Sequence, residues 1–413
     1  MTAKHQNCSD FCVLAWNKDN DEWNGPTNPR SAELTIRPDS HVTVIYADAD
    51  KVRNCSSCRK YFTDEFLMPE LWWSGYSRGS NGYFGSETFR DDNGDISSLN
   101  TWSRFMAKQL HDNSHEWYKF NIFTRWIASS QKTILIIFEV PGKHRLRKVF
   151  PTSMQNETLS NPFWFYIRLL EELSTLQDNS VWAVRDRVRG IETEENSKKP
   201  NPKYRFMHDT ARHAIHVSET LEVAEKTVAS IIAQHKSFQE EMSMERKVRA
   251  GYRRVGERLL WYDHILSSLR HRASANKERL LNEVQLAFHS VAQYDSRIAV
   301  KIGKATQTDS AAMKTIAFVT LTFLPATFIS ALFSMSFFKV DDNTGVWSVS
   351  KEIWLYFVIA IPVTLITGGG WWLWQKSFQP VWIGEEEEAN TLRDLRRKIK
   401  RGDSQRVDSY EMA

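Results

Sequence analysis

The chain has 413 residues, of which 25% are charged and 12% are aromatic, a balance typical of folded rather than disordered proteins. A mean hydropathy of −0.47 excludes a protein built from many membrane spans, although one or two spans remain compatible with it. The formal net charge of +4 is too small to favour a nucleic-acid-binding protein. Four cysteines exclude a disulfide scaffold, and the length predicts two or three structural units.

We expect residues 1–202 to form a cytosolic domain of the α+β class. The segment contains both strand and helix patterns, and no signal peptide is visible at its start. Alternating apolar and β-branched residues predict strands over 34–37, 42–46, 117–126 and 133–140. The last two strands should form a hairpin around residues 128–131. Apolar residues at three- and four-residue steps predict a helix over 163–176, and the polar stretch 192–202 is typical of a linker.

The four cysteines form two close pairs in this domain. Cys55 and Cys58 have the C-x-x-C spacing of a zinc knuckle or redox pair, and Cys8 and Cys12 make a second pair. Four thiolates could hold a structural zinc ion in tetrahedral geometry. The alternative is that all four are reduced thiols in a cytosolic domain.

Residues 203–312 predict a stalk of long helices, because the segment has no proline and glycine only at positions 251, 256 and 303. We expect helices over 209–247 and 250–271, and a third from 274 onward. In the third helix a heptad seam typical of a coiled coil is formed by Leu281, Val284, Phe288, Val291, Ile298 and Ile302. Asp295 interrupts this seam, either as a solvated residue that sets the register or as an ion ligand.

Two stretches, 313–338 and 353–374, are long and apolar enough to be transmembrane helices across a bilayer of about 30 Å. No helix breaker occurs between residues 274 and 315, and Pro325 is tolerated in a spanning helix, so we expect one continuous helix over 274–338. The connection 339–352 is a short external loop. The tail 375–413 carries a basic cluster, which by the positive-inside rule places it, and with two spans also the amino-terminal domain, in the cytosol.

The first span carries a repeating face. Met313, Thr320, Thr327 and Ser334 recur every seven residues, and Ile316, Leu324 and Ala331 lie on the flanking steps. Two helices cannot enclose a pore, so a conducting path would need several chains around an axis. One interpretation is that these residues line such a pore. The other is that the hydroxyls bond to carbonyls of their own helix or join neighbouring helices.

Three segments of this span carry a family resemblance: Met313-Lys314, Leu-Pro-Ala-Thr-Phe-Ile at 324–329 and Phe-Ser-Met-Ser-Phe-Phe at 333–338. Together with the stalk, the two spans and the basic tail, they resemble CorA-type magnesium transporters, and most of all their divergent fungal members. The resemblance implies a homopentamer in the lipid bilayer whose first spans line a pore for Mg²⁺ or another divalent cation. It also implies a regulatory cytosolic Mg²⁺ between subunits, for which Asp295 is a candidate ligand.

The chain departs from the family at the pore mouth, where Ser334-Met335-Ser336 stands in place of Gly-Met-Asn. A serine hydroxyl is shorter than an asparagine amide and offers fewer hydrogen-bonding groups to a hydrated ion. Asp341 and Asp342 in the outer loop could compensate by attracting cations, or could simply be solvated. The change favours an alternative function, a non-conducting membrane-anchored scaffold. No motif of an enzyme occurs, and the sequence does not indicate which membrane holds the protein.

Overall fold

The computed structural model describes residues 11–27, 40–112, 114–138, 150, 159–194, 199–242, 246–340 and 345–377. The chain divides into two compact units, Met1–Phe288 and His289–Ala413.

The first unit contains a seven-stranded sheet with short helices inserted between its strands. Its strands are β1 (Cys12–Asn17), β2 (Glu22–Thr27), β3 (Val42–Ala47), β4 (Tyr83–Arg90), β5 (Ile96–Leu110), β6 (His115–Ile127) and β7 (Lys132–Phe138). Their order in the sheet is β2-β1-β3-β7-β6-β5-β4, and β3 and β7 run parallel while the other paired strands run antiparallel. The helices α1 (Ala49–Asn54), α2 (Ser56–Phe66) and α3 (Gly75–Gly79), with a 3₁₀ turn over Glu70–Trp73, lie between β3 and β4 in the sequence.

The strand predictions are confirmed where the structure describes them. Residues 42–46 lie in β3, and the predicted hairpin is the β6–β7 pair, whose turn contains Gln131 at φ 51°. Residues 34–37 and 139–140 lie outside the described residues.

The sheet is buried on both faces, as the alternation along β7 illustrates. Leu135 and Ile137 belong to a large core that includes residues of the long helices. Ile134 and Ile136 belong to a second, aromatic-rich core that includes residues of α1 and α2. A strand covered on both sides is continuously apolar, which is why this strand is visible in the sequence.

Long helices follow the sheet. They are α4 (Trp164–Glu192), α5 (Tyr204–Glu241), α6 (Arg246–Phe337) and α7 (Ile353–Ser377). Helix α4 extends sixteen residues beyond the predicted 163–176 and ends where the predicted linker begins.

The predicted break between residues 271 and 274 is wrong, because α6 continues through it without a proline or glycine that would end a helix. The predicted continuity into the first span is confirmed, and Pro325 lies inside α6.

The second unit contains the carboxy-terminal part of α6, the helix α7 and a small hairpin between them. The strands β8 (Phe338–Val340) and β9 (Trp347–Val349) pair antiparallel. Strand β8 begins at the last residue of the predicted first span, and the rest of the hairpin lies in the predicted loop 339–352. Helices α6 and α7 are each long and apolar enough to cross a membrane, and only 6% of the apolar window of each is buried. The core helix of a soluble protein would be mostly buried, so the low burial favours membrane spans.

Candidate functional site

Helix α7 covers one face of the apolar part of α6. The rings of Phe318 and Trp371 lie 4.8 Å apart between centroids, and the Tyr356 hydroxyl donates to the Ala326 carbonyl at 3.2 Å. Farther along this face Ile329 is buried, with 8% of its surface exposed. Positions 318, 326 and 329 fall on one side of a helix that turns by about 100° per residue.

The residues predicted to line a pore lie on the opposite side of α6. The same rotation per residue places positions 313, 320 and 327 half a turn away from the covered face. Met313, Ile316 and Leu324 are 71%, 67% and 59% exposed. Thr320, Thr327 and Ala331 are exposed as well. The side chain of Ser334 is outside the described part of the structure, so the uncovered face is defined here by six residues.

Both threonines on this uncovered face donate their hydroxyl proton to their own helix. Thr320 Oγ1 donates to the Ile316 carbonyl at 2.9 Å, and Thr327 Oγ1 donates to the Phe323 carbonyl at 3.0 Å. A hydroxyl has one proton and two lone pairs. Because the proton of each threonine is bonded to a helix carbonyl, only the lone pairs of its oxygen remain, and these can only accept hydrogen bonds. Water molecules around a metal cation point their hydrogens away from the ion. The hydroxyl oxygens on the uncovered face can therefore accept hydrogen bonds from the water molecules around a hydrated cation.

Two carboxylates continue this face toward the stalk, Asp295 and Asp309, and the sequence prediction did not include Asp309. Asp295, Ile302, Asp309 and Ile316 follow one another at intervals of seven residues, so they share one side of the helix. Asp309 is exposed and lies one turn before Met313. A step of seven residues from Ile316 toward the stalk would have found it.

Asp295 is exposed, and the structure gathers no metal-ligand set around it. Within the described ranges, no group of three or more His, Cys, Asp or Glu side chains could hold a metal ion. Any ion bound by Asp295 would therefore need ligands from beyond these residues, such as a second copy of the chain.

The predicted pore mouth lies where α6 ends. Ser334, Met335 and Ser336 are in its last turn, which finishes at Phe337 and leads into β8. The side chains of these three residues, and the whole of Asp341 and Asp342, fall outside the described residues. Their role at a mouth stays a prediction.

Of the three described cysteines, Cys12 lies apart from Cys55 and Cys58. Cys12 packs against the core that includes Leu135, whereas Cys55 and Cys58 belong to the core on the other face of the sheet. Cys8 lies outside the described residues. The sheet thus separates Cys12 from the C-x-x-C pair, and the predicted zinc site is not assembled from these three thiols.

Comparison with known proteins matches a family model described as a CorA-like Mg²⁺ transporter protein over residues 124–376. A curated relative, the notoamide biosynthesis cluster protein M′ of Aspergillus versicolor, is 28% identical over 289 residues. That alignment covers 65% of this chain and 62% of the relative, so the chain spans less than two thirds of the relative's length.

Two solved structures are also similar to the chain. The full-length CmaX protein is 12% identical with a TM-score of 0.40, and the alignment covers 91% of this chain and 99% of CmaX. The CorA magnesium transporter of Methanocaldococcus jannaschii is 10% identical with a TM-score of 0.38, covering 89% of this chain and 97% of the transporter. The family model, by contrast, spans more than half of the chain, from the middle of β6 to the end of α7. On this match, the chain belongs to the CorA-like Mg²⁺ transporter family.

Proposed function

We propose that the protein is a transmembrane channel or transporter for divalent cations of the Mg²⁺ type, formed by several copies of the chain around an axis. The observation that carries this proposal is the uncovered face of α6, opposite α7, with its acceptor-only hydroxyls. Family membership supports the choice of divalent cations as the transported ions. Ions would pass down their electrochemical gradient, with both ends of the chain in the cytosol.

The need for several copies follows from the number of spans, because two helices cannot surround a water-filled path. Apolar side chains on the stalk part of α6 support this assembly. Leu281 is 48% exposed and Ile302 is 61% exposed, and both belong to the predicted heptad seam. Such a seam is buried when helices pack side by side, so we propose a homo-oligomer, and a pentamer by resemblance to the family.

In the proposed path, carboxylates and hydroxyls lie one after the other along the axis. Rings of Asp309 would concentrate cations at the cytosolic end. Rings of Thr320 and Thr327 would then accept hydrogen bonds from the water around the ion, which Mg²⁺ releases only slowly. The apolar rings of Met313 and Leu324 could close the path by excluding water.

At the outer end, Ser334, Met335 and Ser336 would form the mouth, with Asp341 and Asp342 attracting cations to it. Replacing Ser336 with asparagine should raise Mg²⁺ uptake, because the amide reaches farther toward the hydrated ion than the hydroxyl does. Uptake of Mg²⁺ by cells that express equal amounts of inserted protein measures this effect. Unchanged uptake would show that Ser336 does not lie at the pore mouth.

A second candidate function comes from another class of protein. The replacement of Gly-Met-Asn by Ser334-Met335-Ser336 favours a membrane-anchored scaffold or regulatory protein that has the family's architecture but conducts no ions. In that case the stalk and amino-terminal domain would carry the function through protein contacts.

Ion flux into liposomes distinguishes the two functions. The purified full chain is reconstituted, its oligomeric mass is measured in detergent, and entry of Mg²⁺, Co²⁺, Ni²⁺ and Zn²⁺ is followed with indicator dyes. Entry of at least one of these ions at a rate that scales with protein density is expected. An intact oligomer that passes none of them would support the scaffold, and a monomeric particle would refute the pore.

A further inference from the structure

A cavity of about 330 Å³ lies in the first unit, where the parallel strands β3 and β7 end. Three of its residues form a row across the sheet. Phe138 on β7 is paired with Asn121 on β6, and Asn121 lies between Phe138 and Arg104, its partner on β5. Asp50 and Arg53 of α1 line the same cavity. Its floor is buried, whereas Asp50 is exposed at the rim.

Among the described residues, buried Arg104 has no carboxylate that balances its charge. Only 7% of its surface is exposed, and no ion pair to it occurs within the described residues. Its Nη1 donates to Asn121 Oδ1 at 3.1 Å, and its Nη2 lies 3.7 Å from the weak acceptor Met106 Sδ. Its Nε is buried and has no hydrogen-bond partner in the described structure. A guanidinium has five N–H donors, and the described residues supply partners for only two of those of Arg104.

The electrostatics agree with this geometry. Burial lowers the pKa of Arg104 below its ordinary value, and the nearby positive charge of Arg53 lowers it further, while Tyr83 opposes the shift. A buried cation is unfavourable unless it is paired or hydrogen-bonded. The site is therefore one that an anion would stabilise.

The rest of the lining also has an excess of positive charge. Its charged side chains are Arg53, Arg78, Arg104, Lys119, Asp48 and Asp50. Asp48 accepts from the backbone N–H groups of Asp50 and Lys51 at 3.0 and 3.1 Å, so its carboxylate caps α1. Asp50 is shared between Arg53 at 3.0 Å and Arg78 at 3.4 Å. Among the described lining residues, four cations against two carboxylates leave a formal excess of two positive charges.

We propose that this cavity binds a phosphate group, free or as the monoester of a small organic molecule, with Arg104 and Arg53 as its main partners. A phosphate monoester carries about −1.5 to −2 charges near pH 7, which matches the excess, whereas a carboxylate supplies only one. Its oxygens can accept from two guanidinium groups at once. Arg53 Nε is likewise buried and has no partner among the described residues, so both arginines have a donor to offer.

An organic part fits the remaining space. A cavity of about 330 Å³ is larger than a phosphate needs and lies at the small end of ligand pockets, which run from about 300 to 1,000 Å³. Phe138, Phe120 and Trp117 supply apolar surface to its lining. The site is independent of the transport proposal, since every residue in it belongs to the first unit.

The test measures binding of two probes, inorganic phosphate and phenyl phosphate, to the detergent-solubilised full chain by calorimetry at constant ionic strength. Saturable binding of phosphate is expected, with sodium acetate and sodium chloride giving none. Tighter binding of phenyl phosphate would identify an organic monoester as the occupant, and equal binding would identify free phosphate. No saturable binding of either probe, or equal heats with acetate, would overturn the proposal.

Two variants test whether phosphate binds in the cavity that Arg104 lines. Arg104→Met should weaken phosphate binding at least tenfold without lowering the melting temperature in phosphate-free buffer, because it removes an uncompensated buried charge. Arg125→Met is the matched control, since Arg125 is a half-buried arginine of the same sheet that donates to the Phe66 and Asn100 oxygens and does not line the cavity. It should lower the melting temperature and leave binding unchanged.

Should Arg104→Met fail to fold, Arg53→Gln gives the same readout. Arg53 lies on the short helix α1 at the side of the cavity, and its side chain is 16% exposed. Phosphate affinity in Arg53→Gln equal to that of the unaltered chain would refute the assignment.

Discussion

Replacing Thr327 with valine tests whether the uncovered face of α6 contacts a permeating ion. Valine keeps the branched shape and removes the hydroxyl, which donates to the Phe323 and Leu324 carbonyls, each at 3.0 Å. Thr322 is the matched control. Its hydroxyl makes the same kind of bond, to the Phe318 carbonyl at 2.8 Å, but the residue is half-buried rather than exposed. Each variant removes one hydroxyl that donates to its own helix, so the difference between them isolates the face of the helix.

The expected effect follows from the acceptors that a ring of Thr327 hydroxyls offers. A net hydrogen bond is worth about 0.5–1.5 kcal/mol, and a hydrated ion touching two of these oxygens would lose about 1–3 kcal/mol of stabilisation. Since about 1.4 kcal/mol changes a rate tenfold, Mg²⁺ flux through Thr327→Val should fall by about 5- to 150-fold. Thr322→Val should change flux by less than about twofold.

Both variants are reconstituted at equal density beside the unaltered chain, and Mg²⁺ entry is followed with an indicator dye. Oligomeric mass and melting temperature are measured first, so that a defect in assembly is not read as a defect in conduction. If the two valine variants lose flux equally, or if Thr327→Val conducts normally, the uncovered face does not line the path.

Three further predictions test other parts of the molecule. Asp309→Asn should lower Mg²⁺ flux roughly 3- to 10-fold at low ionic strength and less at high ionic strength, because salt screens the attraction. Burial lowers the pKa of His235 from 6.5 to about 4, so the unfolded chain takes up a proton first as the pH falls. Folding stability should therefore decline between about pH 6.5 and pH 4, by about 3 kcal/mol for this residue, and His235→Gln should flatten the decline. Gly85→Ala should destabilise the fold by about 1–3 kcal/mol in chemical denaturation, because a β-carbon there would lie 2.4 Å from the Trp102 indole.

Each of these predictions has a result that contradicts it. Gly75 is the control for Gly85, since a β-carbon at Gly75 meets nothing within 4 Å, and equal losses in both alanine variants would exclude the clash. An unaltered pH profile in His235→Gln would assign the acid sensitivity to other groups. If Asp309→Asn leaves Mg²⁺ flux unchanged at every salt concentration, Asp309 does not attract cations to the cytosolic end of the path.

The sequence predicts some strands and misses others for a physical reason. The β6–β7 hairpin is visible because β7 is apolar on both faces. Strand β5 is missed although it is the longest strand described, because buried polar residues such as Asn100, Arg104 and Lys108 interrupt its apolar pattern. Strand β2 is missed because Gly25 and Pro26 are typical of turns, and only tertiary pairing with β1 makes it a strand.

The same reasoning separates the two candidate sites. The uncovered face of α6 can be predicted because its residues repeat every seven positions in one helix, and spacing along one helix fixes which residues share a side. The phosphate cavity cannot be predicted in this way. Arg53, Arg104 and Asn121 lie far apart in the sequence and meet only through the register of the sheet and the position of α1.

The two interpretations of the hydroxyls in α6 are compatible, and their combination has a consequence for ion selection. Because Thr320 and Thr327 donate their protons to their own helix, the outward side of each oxygen repels other acceptors and attracts donors. The hydration shell of a cation presents donors, whereas an anion needs donors from its surroundings. An axis lined by these residues and by Asp309 should therefore admit cations and reject chloride, whichever divalent ion it prefers. Preference among divalent ions would depend instead on how closely the proposed mouth contacts the hydrated ion, and a serine at position 336 would reach less far than an asparagine. We therefore expect a path that is strictly cationic but less selective for Mg²⁺ than one with Gly-Met-Asn at its mouth.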